Sequence, residues 1–383
     1  MDAKLRDELG QFCRDGAIAG LVAMATDGER TLFAEAFGVR RLGDPAPMTL
    51  DSRFWIASMT KAITTVAALQ LVEQGRVGLH QPLGEVVPAL AGKQVLEGFD
   101  DAGQPRLRPA RSDLTLHHLL THTSGFVYEM WNPDYIRYQE ATGAPSIRSG
   151  LNAALDMPLA FDPGERWEYG ISTDWAGKVV EAVSGETLGA YLKAHVLGPL
   201  GMDSTGFEPG SDSAAAIHAR GPDGALTPAP AVVPPTPELE SGGGGLFSTG
   251  PDYLKFLAMV LNGGRAGENV ILRPETLALM AQDQIAGVDT IRMTDVLPLL
   301  PPGVTPAAIG MGWTYGFITN GMAVPAGRSA HSLAWAGLAN TYYWIDPARK
   351  VAGLILAQVL PFNDPVVLTA LVTLESGVYR TLG

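Results

Sequence analysis

Leu5, Leu9, Phe12 and Cys13 recur at helical spacing through residues 2–15, and Gly16 follows them. That is the pattern of an amphipathic helix closed by a glycine. The period then shortens. LVAMATD (21–27) and RTLFAEAFGV (30–39) are β-prone runs joined by Asp27-Gly28, a dipeptide suited to a tight turn because it tolerates positive φ, so an antiparallel hairpin is expected. A third short run at Arg53 to Trp55 leads to Ser58. From Met59, MTKAITTVAALQLVEQ keeps helical composition until Gly75. Apolar residues lie on most faces of that segment, which predicts a buried helix.

Between about 76 and 300 the helix-like segments LTLHHLLTH, GETLGAYLKAHVLGPL and PDYLKFLAMVLNGG alternate with loops. Two Pro-rich stretches, TPAPAVVPPTP near 227–237 and LPLLPPGVTP near 297–306, lack regular backbone donors and read as surface connections. From about 310 the strand signal returns in MGWTYGFIT, SAHSLAWAG, NTYYWID and KVAGLILAQV, with a turn at Asp346-Pro347. DPVVLTALVTLESGVYRTL then predicts a closing helix. The expected fold is α/β (α+β): one antiparallel sheet built from residues 1–75 and 305–383 and flanked by helices, with a mainly helical insertion over 76–304. There is no internal repeat.

Composition narrows the function. The chain has 383 residues, enough to bury a large core, and its 27 basic against 40 acidic residues leave a net charge of -13. Such a surface repels phosphate backbones, so no nucleic-acid partner is expected. No apolar run approaches the ~20 residues of a membrane span, and no membrane partner is expected either. The single cysteine, Cys13, excludes an internal disulfide and a cysteine-based zinc site. The first residues mix acids and bases ahead of a short apolar run, unlike a signal peptide, so the protein is expected in the cytoplasm.

The first candidate for chemistry is Ser58-Met59-Thr60-Lys61. Positions three apart share a helical face, so the lysine amine can lie beside the hydroxyl it must deprotonate. A lysine opening a buried helix needs a partner or a function. Tyr169, in Trp167-Glu168-Tyr169-Gly170, follows the turn-forming Asp162-Pro163-Gly164 and would be presented from a loop at the head of the next helix. Trp335-Ala336-Gly337 lies in a β-prone run, where the glycine would let a substrate approach the strand closely. His118 and His122 have the i, i+4 spacing of zinc motifs, but no glutamate follows His118, and core or surface histidines are the better reading, with no metal site. The glycines 242–245 lack the Lys-Ser/Thr ending of a phosphate loop and suit a tight backbone passage. No Gly-x-Ser-x-Gly occurs, against an α/β-hydrolase esterase.

Together the three elements resemble those of the serine beta-lactamase, penicillin-binding and family VIII carboxylesterase superfamily, with its Ser-x-x-Lys, Tyr-x-Asn or Ser-x-Asn, and Lys-Thr-Gly motifs. LTLHHLLTHTSG (114–125), FDPGERWEYG (161–170), LGPLGM (197–202), SGGGGLFST (241–249) and WTYGF (313–317) resemble further landmarks in family order, so the likeness covers nearly the whole chain. Ile171 stands where the pattern has Asn and Trp335 where it has Lys. Both departures resemble the family VIII esterases more than the lactamases.

The resemblance implies a beta-lactamase-like fold and a serine carboxylesterase acting on short- to medium-chain esters through acyl-Ser58. Lys61 or Tyr169 would serve as the base, as a coupled pair whose proton the sequence does not locate. The backbone N–H groups of Ser58 and Leu338 would form the oxyanion hole. No cofactor is required, and the expected partner is a small-molecule ester. Phe126, Tyr128, Trp131 and Trp313, with Trp335 and Gly337, are candidates for binding it. The alternatives are an acyltransferase, an amide or beta-lactam hydrolase, and a non-catalytic binding protein on the same fold. The sequence does not indicate an oligomeric state.

Overall fold

The computed structural model describes residues 3–210, 213–297, 305–325 and 327–382. A period of two organises its centre. Helix α1 (Ala3–Arg14) leads into the hairpin of β1 (Gly20–Thr26) and β2 (Thr31–Gly38). Three helices from the long middle of the chain matter below: α2 (Thr60–Glu73), α3 (Ser172–Ser184) and α4 (Gly250–Leu261). The C-terminal part supplies β3 (Gly312–Trp313), β4 (Ile318–Thr319), β5 (Leu333–Gly337), β6 (Thr341–Asp346), β7 (Val351–Leu356) and the final helix α5 (Pro365–Leu382).

These seven strands form one antiparallel sheet in the order β3-β4-β5-β6-β7-β1-β2. Both ends of the chain therefore meet at the β7–β1 pair, with Val22 opposite Leu356 and Met24 opposite Leu354. Alternate residues divide between two cores. Leu21, Ala23, Ala25, Trp344, Val351 and Ile355 face α1 and α5 with Leu5, Leu9, Val367, Ala370, Leu374 and Val378. Val22, Met24, Tyr343, Ile345, Ala352 and Leu354 face the other way, into a core shared with α2, α3 and α4. Strands covered on both sides read as continuous apolar runs, which is why GLVAMAT and VAGLIL are buried along their whole length.

The middle segment is less purely helical than its sequence suggests. It carries the short hairpins Gln94–Phe99 with Pro105–Pro109 and His218–Arg220 with Leu226–Pro228. Helix α4 from this segment packs directly on the sheet, where a Cβ at Gly250 would come within 2.8 Å of Val22 and Met24 side-chain atoms. The Arg53–Trp55 run pairs outside the main sheet: Phe54 and Trp55 bond to Ser248 and Phe247. Of the Pro-rich stretch near 297–306, residues 298–304 lie outside the described residues. Among the described residues, no helix is long and apolar enough to cross a membrane.

Candidate active site

Ser58 sits in a short 3-10 turn, Ala57–Met59, that runs into α2. Ala57 just before it has φ 44°, a left-handed conformation that strains a residue with a Cβ and turns the chain sharply at the serine. The turn replaces the regular helix start that the sequence suggests, yet the spacing of three survives, and Lys61 Nζ lies 3.2 Å from Ser58 Oγ.

Lys61 is fully buried. Its ammonium nitrogen also donates to the Gly243 carbonyl at 2.7 Å and to the Tyr128 hydroxyl at 3.1 Å, and it lies 4.6 Å from the centre of the Tyr169 ring. Burial drives its pKa down from 10.5 to about 7, against the opposing pull of Asp174. An amine in this setting is available as a base near neutrality.

Tyr169 lies on the loop before α3, held where Tyr128 N–H donates to its carbonyl at 3.2 Å. Gly170 makes that seat possible, because a Cβ there would lie 2.2 Å from the Phe126 carbonyl oxygen. Burial raises the Tyr169 pKa; hydrogen bonds with Ser58 and Trp335 oppose the rise, and the Asp174 charge adds to it. The Trp335 indole N–H donates to the Tyr169 hydroxyl at 2.9 Å. A neutral donor therefore faces the phenol at the place where the resemblance would put a lysine.

Ser58 lies where two clefts meet. The larger, about 700 Å³ with its open mouth, has walls formed by Trp131, Ile147, Val232, Val233, Pro234 and Leu239, with Gly243 to Gly245 near the serine. The smaller, about 250 Å³, is lined by Tyr169, Trp131, Trp335, Ala336, Leu338 and Phe362. The Pro-rich stretch near 227–237 is thus more than a surface connection. Its valines pack with Trp55, Ala57 and Ala339, and apolar side chains on a chain free of regular pairing can line a cavity.

The other expected binding residues separate into two groups. Tyr128, Trp131, Trp335 and Leu338 line the clefts, and Tyr128 also touches the lysine. Phe126 does not line them; it is fully buried and stacks on Trp175. Trp313 is also fully buried, behind Trp335 at 4.5 Å and edge-on to it, with its N–H given to the Leu120 carbonyl. Gly337 does not make room for substrate: a Cβ there would sit 2.3 Å from the Ile56 carbonyl oxygen and from Thr341 Oγ1, so it is the segment ahead of Ser58 that comes close.

His117 packs against His80 and His118, whereas His118 and His122 face different neighbours. His118 caps its own short helix, His117 meets Tyr315 at 2.8 Å, and His122 lies beyond that helix with φ 57°, buried against Tyr169, Trp167 and Trp313. Burial and then the Lys61 charge hold His122 neutral. Glycines 242–245 form the tight passage expected of them. Thr64 bonds the Gly242 carbonyl at 2.8 Å and the Trp55 indole bonds the Gly244 carbonyl at 2.7 Å, strapping the strip across the start of α2. Sequence reasoning missed Asp174 and Ser241. The one signal was an acid set among apolar residues in ISTDWAG, five positions after Tyr169.

This fold, with a Ser-x-x-Lys pair and a tyrosine converging between an antiparallel sheet and a helical layer, defines the serine beta-lactamase-like class. The chain belongs to the beta-lactamase family, whose model matches residues 3–376. It is 33% identical to monacolin J acid methylbutanoyltransferase of Aspergillus terreus over 94% of this chain and 92% of that protein. It is 32% identical to lovastatin esterase of Penicillium rubens over 95% of each. A solved structure of simvastatin synthase from Aspergillus terreus superimposes with TM-score 0.88 at 31% identity, covering 99% of this chain and 98% of that one. These relatives are acyltransferases and an esterase, and the chain is an enzyme of this serine acyl-transfer superfamily.

Proposed function

We propose that the protein is a serine carboxylesterase that takes an acyl group from an apolar ester onto Ser58 and delivers it to water, with an alcohol able to take the water's place. The observation that carries the reading is the 3.2 Å approach of a buried Lys61 amine, titrating at about 7, to the Ser58 hydroxyl. Neutral Lys61 accepts the hydroxyl proton as Oγ attacks the ester carbonyl. The resulting oxyanion is met by the backbone N–H groups of Ser58 and Leu338. Tyr169, whose pKa burial raises, remains a phenol and donates to the departing alkoxide oxygen, and its proton is restored from the Lys61 ammonium. Water or an alcohol then attacks the acyl-enzyme, with the proton transfers reversed.

The apolar walls of the larger cleft support an apolar substrate, and its size supports short to medium acyl chains. The methylbutanoyl group in one relative's name supports a short acyl chain, the esterase in the other's supports an ester substrate, and the transferase among them supports an acceptor other than water as the second reading. Ile171 and Trp335 offer no cation or amide to an anionic lactam, which weighs against a lactamase.

The test is hydrolysis of p-nitrophenyl esters from acetate to decanoate by the intact protein and by Ser58→Ala, with and without an alcohol acceptor. Rates should peak at short to medium chains and vanish in the variant, and added alcohol should divert product to a new ester. Equal rates in the two proteins would overturn the proposal.

A further inference from the structure

We propose that Asp174 is the positioning residue behind Lys61, fixing the amine through the backbone of Gly243 and balancing its charge, as the third member of a Ser58–Lys61–Asp174 line. The proposal rests on the acyl-Ser58 reading above. Asp174 lies in the first turn of α3 and is 1% exposed. Its Oδ1 accepts from the Ser241 hydroxyl at 2.5 Å and from the Gly243 N–H at 3.0 Å. The carbonyl of that same Gly243 accepts from Lys61 Nζ at 2.7 Å, the shortest of the three bonds the amine makes. One residue's backbone thus stands between the carboxylate and the lysine, the Gly243 N–H turned to Asp174 and its carbonyl to Lys61, at the wall of the larger cleft.

The fit is close. A Cβ at position 243 would lie 2.4 Å from Asp174 Oδ2, and one at 242 would lie 2.8 Å from the Thr173 carbonyl oxygen, so the glycine strip lets the carboxylate approach. Among the described residues, Asp174 forms no ion pair with an arginine or lysine, although Lys61 is the charge that acts on it most. The other titratable groups around the lysine are Tyr128, Tyr169 and His122. All three are buried and neutral near pH 7, the phenols because burial raises their pKa values and the imidazole because burial lowers its own. Burial raises the Asp174 pKa, and the Lys61 charge, the Ser241 hydroxyl and the Gly243 N–H oppose that rise, so that among the described residues the ionised Asp174 is the negative charge placed to offset the ammonium formed when Lys61 takes the Ser58 proton. The proton stays on Lys61, and Asp174 acts as the acid does behind the base of a hydrolase triad, orienting it and stabilising its charged form.

Two effects of Asp174→Asn follow, in opposite directions. The asparagine oxygen can still accept from Gly243, but the charge is lost, so the Lys61 pKa falls and the acid limb of kcat/KM moves down by about one pH unit. A weaker base with an uncompensated ammonium also lowers the plateau, by about ten- to a hundredfold. The experiment measures p-nitrophenyl butyrate hydrolysis from about pH 5 to 9 for the intact protein, Ser58→Ala, Asp174→Asn and Ser241→Ala, with thermal melts of each. Ser241→Ala keeps the carboxylate but removes a donor to its ionised form. Its limb should move the same way by a smaller step, and it carries the test if Asp174→Asn does not fold.

A limb that moves down while the plateau falls supports the proposal. A lower plateau with an unmoved limb, or an unchanged profile, would reduce Asp174 to a packing residue and overturn it. Activity persisting in Ser58→Ala would overturn the acyl-Ser58 reading itself, whereas a dead Ser58→Ala beside unmoved limbs would overturn only the role of Asp174.

Discussion

Burying Lys61 should cost stability in a way that pH reveals. Its pKa is about 7 in the folded chain, against about 10.4 for an exposed lysine. Between those values the unfolded chain holds a proton that the folded chain does not, so stability rises with pH. The contribution is full above the unfolded pKa and is lost as pH falls toward the folded one. With a slope of about 1.4 kcal/mol per pH unit, reduced near pH 7 where the folded lysine is half protonated, the gain from pH 7 to 9 is about 2 kcal/mol. Lys61→Met keeps the length and apolar stem of the side chain but cannot titrate. Urea unfolding of both proteins at pH 7, 8 and 9 should show the native protein gaining about 2 kcal/mol over the variant across that range. Comparing slopes cancels the bonds to Gly243 and Tyr128 that the variant loses at every pH. Parallel slopes would mean that Lys61 is not held near neutrality by burial, and the case for it as the base near pH 7 would fail with them.

Trp335→Phe removes the donor to the Tyr169 hydroxyl but keeps an aromatic ring against Trp313. A hydrogen bond to a group gaining charge contributes about 1.5 to 3 kcal/mol, so acylation should slow by about ten- to a hundredfold in a burst assay, with the fold intact by circular dichroism. Gly337→Ala drives a Cβ into the Ile56 carbonyl and Thr341, so it should lower the melting temperature. Because that clash is with the chain, the smallest ester should be no better tolerated than the larger ones; selective loss of the larger esters would restore Gly337 to a role in substrate approach.

Local pattern was enough for much of the architecture. The β-prone runs in 21–39 and 333–356 marked the sheet strands, Asp27-Gly28 marked the first hairpin, and the all-round apolar run after Lys61 marked a buried helix, because each follows from the composition of one segment. Ser58 and Lys61 were legible for the same reason, three residues apart on one turn. Tyr169 and Trp335 could be singled out, but only the folded chain brings the indole of one to the hydroxyl of the other across 166 positions. Phe126 and Trp313 look like cleft aromatics in the sequence, yet packing sends them behind the site, since composition says that an aromatic is buried and not what it is buried against. Asp174 shows the limit most clearly. A carboxylate among apolar residues gains its meaning from Gly243 and Lys61, 69 positions after it in one case and 113 before it in the other, and the tertiary structure alone puts the three in line.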